Sequence, residues 1–389
     1  MNNIRKYLVP DYFPAFSCKM GACRAACCVG WPVSITMDDY FRLLGVECSP
    51  ELRRKLDVAL HIAERPTSGE YAQIVPRWDG DCSLRMDDGR CMLQAELGEK
   101  ALSHVCRLYP RGVRADSEPE CSCANSCERV IELLMERTEP IKFIPMELTF
   151  DTPASAASGI QFETCGRGQE IRMHFIRILQ KRVYPLPLRL MQLSRELDEM
   201  DAALSAKDAA WVDRILAEDV SRPMFPEKLP DWNHLRQGLE AAERMVSMFD
   251  NGSQSIRDYG EAALAYFGED EAAFGRYAIA RAHFDSILPD WEIYYENMLV
   301  NHMFFSRFPF QDRPVSLKDE FIALCAVYSL LRFLGIGWMA DKNTSEPFVD
   351  VAAAAFRLID HTSFDRYAAP ALKALGLESR ERLYELILL

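Results

Sequence analysis

Several features that would place the chain in a common functional class are missing from its 389 residues. The stretch MNNIRKYLVPDYFPAF has no apolar run of signal-peptide length, and no later run approaches the roughly 18 apolar residues of a membrane span. The motifs G-x-x-x-x-G-K-[ST], G-x-G-x-x-G after a strand, G-x-S-x-G and H-E-x-x-H are also absent. We therefore expect a soluble, cytoplasmic protein without a membrane partner, and none of the reactions that those motifs support.

Positive charge is scarce as well. The chain has 45 Lys and Arg residues against 58 Asp and Glu residues, which gives a formal net charge of −13. Surfaces that bind nucleic acid need clustered basic residues to neutralise the phosphates, so we expect no nucleic-acid partner. With 49% hydrophobic residues, the chain can bury a core of ordinary size without covalent cross-links.

Cysteine, in contrast, is abundant and unevenly distributed. Eleven of the 13 cysteines lie in the first third of the chain, and residues 18–28 alone read CKMGACRAACC. Disulfide frameworks belong to small secreted domains, whereas clustered thiols in a reducing cytoplasm more often bind a metal or take part in chemistry. The asymmetry predicts two regions: a cysteine-rich, metal- or iron–sulfur-binding region at 1–138 and an all-α domain at 139–389.

The first region consists of short predicted elements. Helices are predicted over MDDYFRLLG and over SPELRRKLDVALHIAER, where Ser49 is the N-cap and Pro50 takes the first helical position. The Asp-Gly turn signal between Cys82 and Cys91 predicts a hairpin that brings the two thiols together. Cys127 lies at the start of another helix, where backbone N–H groups favour a thiolate.

These thiols predict a soft-metal site, but their spacing leaves its type open. The spacings match neither of two common zinc patterns, because there is no C-x₂-C…C-x₂-C and no histidine pair after the cluster. Iron–sulfur clusters accept scattered cysteines, so we favour a cluster over zinc, and inert buried thiols are the third interpretation. Of the adjacent Cys27 and Cys28, we expect one to bind metal and the other to pack, bridge or serve a second centre.

From about residue 140 onward the pattern is helical throughout. Apolar residues recur at three- and four-residue spacing, Pro or Gly separates most segments, and no strand–helix alternation is present. The expected fold is mainly α: a cysteine-rich, largely irregular, metal-binding N-terminal region packed on a multi-helix C-terminal domain. Cys165 and Cys325 lie in or beside the helical patterns, and we expect both to be buried bystanders.

Four sequence blocks together resemble a known family. They read FSCKMGACRAACCVGWPVSIT, DCSLRMDDGRCMLQAELGEKALSHVCRLYPR, SCERVIELLM and, in the helical part, YYENMLVNHMFFSRFPF. The chain resembles the flagellin lysine-N-methylases, and its N-terminal part is similar to CxxCxxCC zinc- or iron-chelating domains. The spacing C-x₄-C-x₃-C-C of the first block differs from the C-x₃-C-x₂-C of radical S-adenosylmethionine enzymes, so no radical mechanism is assigned.

The resemblance implies an enzyme that transfers methyl groups from S-adenosylmethionine to lysine side chains of flagellin. It also implies a [4Fe–4S] cluster, with Zn²⁺ as the alternative, held by a subset of eight cysteines: Cys18, Cys23, Cys27, Cys28, Cys82, Cys91, Cys106 and Cys127. The alternative function is a non-catalytic zinc- or iron-chelating module that binds a protein partner.

Methyl transfer to lysine requires that the amine lose its proton and align with the methyl carbon and the sulfur. The stretch DWEIYYENMLVNHMFF supplies four catalytic candidates on one predicted helix: Tyr294, Glu296, Asn297 and Asn301. Alternatively, the tyrosine packs in the core and the amides satisfy buried backbone groups. Arg107 is the candidate for binding a cofactor carboxylate, unless it pairs with Glu96, Glu99 or Asp116.

Overall fold

The computed structural model describes residues 4–24, 27–29, 32–116, 118–150, 162–218, 232–247, 254–268, 270, 272–311, 315–362 and 364–388. Within these ranges the chain forms sixteen α-helices and seven short strands. The prediction of a mainly α fold with a cysteine-rich N-terminal region is therefore confirmed.

The strands are β1 (Arg5–Pro10), β2 (Val33–Ile35), β3 (Leu60–Ile62), β4 (Ala72–Ile74), β5 (Arg111–Arg114), β6 (Glu120–Cys123) and β7 (Phe143–Leu148). The helices are α1 (Met37–Gly45), α2 (Pro50–Ala59), α3 (Met92–Leu97), α4 (His104–Leu108), α5 (Glu128–Met135), α6 (Gly168–Leu179), α7 (Leu186–Ser205), α8 (Ala209–Ala217), α9 (Trp232–Ser247), α10 (Gln254–Phe267), α11 (Ala273–Ile287), α12 (Trp291–Ser306), α13 (Leu317–Met339), α14 (Glu346–His361), α15 (Phe364–Ala374) and α16 (Arg380–Ile387).

The larger sheet has the strand order β5-β6-β1-β7. In its interior, β1 pairs antiparallel with β7, where Arg5 is opposite Leu148, and parallel with β6 through Leu8 and Glu120. The chain therefore leaves this sheet after β1 and returns to it at β5. The predicted boundary at residue 138 falls between α5 and β7, and the division into two domains there stays a prediction.

A smaller hydrophobic cluster surrounds the second sheet, whose strand order is β2-β4-β3. Its buried residues are Ile35, Leu43, Leu52, Leu56, Ala59, Leu60, Ala72, Ile74, Cys82, Leu84, Leu93 and Leu102. Two of its helices begin where the sequence predicts. The Thr36 hydroxyl accepts a hydrogen bond from the Asp39 N–H at 3.1 Å, and the Ser49 hydroxyl accepts one from the Leu52 N–H at 3.2 Å.

The predicted length of α2 is wrong. The sequence predicts a helix that continues to Arg65, but α2 ends at Ala59 and the chain turns directly into β3. There Leu60 pairs with Ile74, and Ile62 pairs with Ala72. Pairing with β4 thus outweighs the local helix propensity of these residues.

The larger hydrophobic cluster contains β1, β6 and the helices from α5 onward, with α13 near its centre. By length and composition alone, α13 is apolar enough to cross a membrane. From the sequence we expected no apolar run of that length. However, 94% of its most apolar window is buried inside the protein. It packs against α7, α9, α10, α11, α14, α15 and α16, which is the environment of a core helix.

Candidate metal centre

A cavity of about 740 Å³ lies where the two hydrophobic clusters meet. All eight predicted metal ligands line it: Cys18, Cys23, Cys27, Cys28, Cys82, Cys91, Cys106 and Cys127. Cys82, Cys91 and Cys106 belong to or pack against the smaller cluster, whereas Cys127 packs against the larger one. The structure therefore brings every predicted ligand to one space, while metal binding itself stays a prediction.

Local structure explains how separate segments reach this cavity. Cys91 and Cys127 are the N-cap residues of α3 and α5, and Cys106 lies within α4. The predicted hairpin is present, and the backbone N–H of Cys82 donates to the Cys28 carbonyl at 2.7 Å. This bond ties the first cysteine block, residues 18–28, to the hairpin.

The first cysteine block also crosses the hairpin turn at two glycines. Gly21 has φ +111° and Gly89 has φ +84°, a backbone region that side chains rarely allow. A Cβ on Gly89 would collide with the Gly21 carbonyl, and a Cβ on Gly21 would lie 2.8 Å from the Arg90 backbone nitrogen. The absence of side chains at both positions therefore permits this close approach.

Ion pairs hold the first cysteine block against the helical part of the protein. Lys19 Nζ lies 2.6 Å from Glu128 and 2.7 Å from Glu132, both on α5. On α14, Asp350 accepts a hydrogen bond from Arg24 Nε at 2.9 Å. Because Arg24 lies between Cys23 and Cys27 in the sequence, these pairs fix the position of the block that supplies half of the thiols.

Burial raises the pKa of most of the cavity thiols. It raises the pKa of Cys23 and Cys106 to about 12. It also raises the pKa of Cys127 to about 11, although the N–H groups of Arg129 and Val130 lower it. Burial thus outweighs the helix start that was expected to favour a thiolate. Neighbouring thiols raise these pKa values further, and a bound cation would supply the opposite charge.

The adjacent pair behaves differently. A hydrogen bond between Cys27 and Cys28, whose Sγ atoms are 3.8 Å apart, lowers the pKa of Cys27 to about 7 and raises the pKa of Cys28 well above its ordinary value. The Arg357 guanidinium lowers the pKa of Cys27 as well. Cys27 is therefore the member of the pair that becomes a thiolate first.

The donor set fits an iron–sulfur cluster or zinc in kind and number. Thiolates are the ligands that both metals take in proteins, and eight thiols exceed the four that a single centre needs. Within the part of the chain that the structure describes, however, no three His, Cys, Asp or Glu side chains already stand at metal-ligand separations. Metal binding would have to draw these loops together, as it does in domains that fold around their metal.

Arginines add positive charge to the same cavity. Arg107, the candidate for a cofactor carboxylate, and Arg111 both line it. Two of the acidic groups proposed to pair with Arg107 bind elsewhere, because Glu96 accepts hydrogen bonds from the N-cap of α2 and Asp116 binds a different arginine. Among the described residues, neither Arg107 nor Arg111 has an ion pair, and the Arg111 guanidinium lies over the Phe16 ring at 5.1 Å from the ring centroid.

A hydrogen-bonded chain of three further side chains was missed by sequence reasoning. The Tyr109 hydroxyl lies 3.1 Å from Ser126 Oγ, which lies 2.7 Å from His361 Nε2, and all three residues line the cavity. His361 ends α14, and the neighbouring Asp360 accepts a hydrogen bond from His302 at 2.9 Å. No local pattern could have joined residues 235 positions apart.

The four catalytic candidates on α12 do not line the cavity. Glu296 is buried against two arginines, and Tyr294 is half-buried. Asn297 donates to the Leu134 carbonyl at 2.9 Å, and Asn301 donates to the Cys123 carbonyl at 2.8 Å. The amides therefore fasten α12 to the N-terminal region, which is the alternative that the sequence left open.

The two late cysteines also lie away from the cavity lining. Cys325 is fully buried in α13, as expected. The expectation of burial is wrong for Cys165, which is half-buried at a turn before α6. Cys165 lies beside α6, at a turn, where a side chain has fewer neighbours than on the buried face of a helix.

The helical part of the chain matches a known protein family. A family model described as FliB lysine N-methylase C-terminal domain matches residues 172–386, which is more than half of the chain. His361 of the cavity wall lies inside the matched range, whereas the eight cavity cysteines lie before it.

Curated relatives match over a shorter range. Lysine-N-methylases from Salmonella typhimurium and Salmonella choleraesuis are each 31% identical over 104 residues, which cover 26% of this chain and 25% of the relative. Flagellar biosynthetic protein FliU from Salmonella muenchen is 28% identical over 103 residues, which cover 26% of this chain and 60% of that protein. The alignment thus spans about a quarter of the two lysine-N-methylases. No solved structure matches the chain.

Proposed function

Because the chain belongs to the FliB lysine N-methylase family, we propose that it transfers methyl groups from S-adenosylmethionine to lysine side chains of flagellin. The observation that carries this proposal is the composition of the cavity wall. Its lining residues come from the cysteine-rich region, with His361 added by the family-matched helical domain. A metal centre, a methyl donor and a substrate side chain can therefore meet in one partly enclosed space.

The proposed metal centre is a [4Fe–4S] cluster held by a subset of the eight cavity cysteines. The support is the donor chemistry. Eight thiols line one cavity, and most of them stay protonated unless a bound cation compensates the negative charge of the thiolates. A cluster with one iron not bound by cysteine would supply a Lewis-acid or redox site next to the methyl donor. Zn²⁺ is the alternative occupant, and metal and sulfide analysis separates the two.

The proposed binding site for the methyl donor is the part of the cavity near Arg107. A guanidinium without a carboxylate partner among the described residues can bind the amino-acid carboxylate of S-adenosylmethionine through two hydrogen bonds. Phe16 and Tyr109 line the same cavity and offer aromatic faces to a sulfonium cation. Replacing Arg107 should therefore weaken binding of the methyl donor more than it weakens metal binding.

The names of the relatives support flagellin as the proposed substrate. One relative is called a flagellar biosynthetic protein and two are called lysine-N-methylases. Those words describe the relatives, and we extend them to this chain because the family model covers most of its helical part.

The test uses anaerobically purified protein with its metal content measured. Incubation with matching flagellin and S-adenosylmethionine should add steps of one methylene to the intact mass of flagellin. Cys106→Ala should lower metal content and methylation together, whereas Cys325→Ala should change neither. Unmodified flagellin with a fully loaded protein would contradict the enzyme and favour the non-catalytic chelating module. Full activity after metal removal would keep the methyltransferase and make the metal structural.

A calorimetric test addresses the methyl-donor site separately. Arg107→Gln should weaken S-adenosylmethionine binding by about 10- to 100-fold, the range expected for losing charge-assisted hydrogen bonds. Arg129→Gln is the matched control, because Arg129 lines the same cavity but already pairs with Glu132 at 3.2 Å and Glu136 at 2.7 Å. Equal affinities in the two variants would contradict this assignment.

A further inference from the structure

A lysine amine has to lose a proton before it can accept a methyl group. Its ordinary pKa is about 10.4, so at neutral pH it is an ammonium group without a free electron pair. A group that takes this proton must therefore lie at the methyl-transfer site. The cavity wall supplies one imidazole among the described residues, that of His361.

The environment of His361 suits a proton acceptor. Burial lowers the pKa of its imidazole, and Arg357 on the same helix lowers it further, whereas Asp360 raises it. On the facing side of the cavity wall, Ser126 Oγ lies 2.7 Å from His361 Nε2, and the Tyr109 ring centroid lies 6.0 Å from that of the imidazole. The imidazole is therefore largely neutral at pH 7, with Nε2 directed at Ser126 Oγ.

Tyr109 forms the other end of the chain. Burial raises the pKa of its hydroxyl well above the ordinary value. The hydroxyl is therefore protonated at neutral pH. It can release its own proton only as it accepts another. Both hydroxyl groups can donate as well as accept, so Tyr109 can donate to Ser126 Oγ while Ser126 donates to an unprotonated His361 Nε2.

We propose that Tyr109, Ser126 and His361 form a proton relay that deprotonates the substrate lysine, with His361 Nε2 as the terminal acceptor. The lysine proton moves to Tyr109 Oη as the tyrosine proton moves to Ser126 Oγ and the serine proton moves to His361 Nε2. The freed nitrogen pair then forms the N–C bond as the C–S bond of S-adenosylmethionine breaks. S-adenosylhomocysteine leaves, and His361 releases its proton to solvent.

This relay rests on the proposed function and adds to it the path of the proton. It also gives the family-matched helical domain a direct part in the reaction, because α14 carries the acceptor while the cysteine-rich region carries the other two members. Ser126 is a positioning residue by this account, since it acts through its two neighbours.

The pH dependence of kcat/KM tests the relay on metal-loaded protein. Wild-type activity should level off above the lowered pKa of His361 and stay flat up to the pKa of lysine. Ser126→Ala interrupts the relay, so its activity at pH 7 should fall by about 100-fold or more. Its activity should then rise with pH as the free amine fraction grows. His361→Gln should give the same profile.

A substrate with a more acidic amine provides a second readout. Flagellin in which the target lysine is replaced by S-aminoethylcysteine loses its proton more readily, so it should recover much of the deficit of Ser126→Ala. Ser34→Ala is the control, because Ser34 lines the same cavity outside the hydrogen-bonded chain. It should keep the wild-type profile with both substrates.

The outcomes separate the relay from the proposed function. A wild type that methylates neither substrate overturns both. A wild type that methylates while metal-loaded Ser126→Ala and His361→Gln share its rate and pH profile overturns the relay alone. An equal loss in Ser126→Ala at every pH and with both substrates also overturns it, because a purely structural defect would not follow the amine pKa.

Discussion

The glutamate at the centre of α12 gives the sharpest test of what that helix does. Glu296 is fully buried, and its carboxylate accepts hydrogen bonds from Arg182 and Arg189. Arg189 is itself only 3% exposed. Glu296→Gln keeps the shape of the side chain and removes its charge, so a buried guanidinium loses its main counter-charge.

The expected cost is large because an unpaired buried charge is expensive. Removing one partner of a buried ion pair costs about 3–5 kcal/mol of unfolding free energy. With an unfolding entropy of about 2 cal/mol/K per residue, a chain of 389 residues that unfolds cooperatively would melt about 4–6 °C lower. Urea denaturation followed by circular dichroism measures the free energy, and differential scanning calorimetry measures the melting temperature.

A matched control lies one helical turn away. Glu292 also faces Arg189, at 3.6 Å, but its side chain is 35% exposed, so Glu292→Gln should cost about 0–1 kcal/mol. The reasoning would be refuted if Glu296→Gln left the stability within about 0.5 kcal/mol of the wild type. A Glu296→Gln protein of wild-type stability that had lost methylation would instead restore Glu296 as a catalytic residue.

Three further changes follow from the structure. Cys106→Ala should reduce the amount of iron or zinc per chain, whereas Cys325→Ala should leave it unchanged. Equal losses in the two variants by elemental analysis would contradict the assignment of the cavity as the metal centre. Gly89→Ala should push the first cysteine block off the hairpin turn and speed alkylation of its thiols several-fold; an unchanged rate by mass spectrometry would contradict the close contact. Arg307 hydrogen-bonds to Asp116 and lowers the pKa of the Asp116 carboxyl from its ordinary value of 3.8. The Asp116 carboxylate therefore stabilises the fold above pH 3.8, and this stabilisation is lost as the pH falls through the lowered pKa. Asp116→Asn should therefore lower the unfolding free energy at pH 7 but hardly at about pH 2, and an equal difference at both pH values would exclude this origin.

Signals that act over a few residues predicted the structure well. Ser49 caps α2, and the Asp-Gly turn lies between Cys82 and Cys91, because capping and turn geometry depend on neighbours in the chain. The unequal distribution of cysteine likewise pointed to the segments that line the cavity. The prediction failed at the end of α2, where a strand from elsewhere pairs with Leu60 and Ile62.

Contacts between distant segments could not be predicted in the same way. The sequence could place Asn297 and Asn301 on one helix, but it could not show that their partners are backbone carbonyls of the cysteine-rich region. It gave no reason to connect Ser126 with His361, since no sequence motif contains both residues and the packing of α14 against α5 brings them together. Polar groups acquire such roles from the fold rather than from their neighbours in sequence.

The placement of β1 inside the larger sheet has a consequence for how the chain folds as it is made. β7, one of its two partners, ends 138 residues after β1 ends. At a synthesis rate of about 5–20 residues per second, that interval lasts about 7–30 s. The smaller cluster is complete by residue 106, so it can fold on the ribosome while β1 waits. Both edges of β1 lack a partner until β6 is made, and one edge lacks a partner until β7 is made. β1 is therefore a segment that a chaperone would have to shield from other nascent chains.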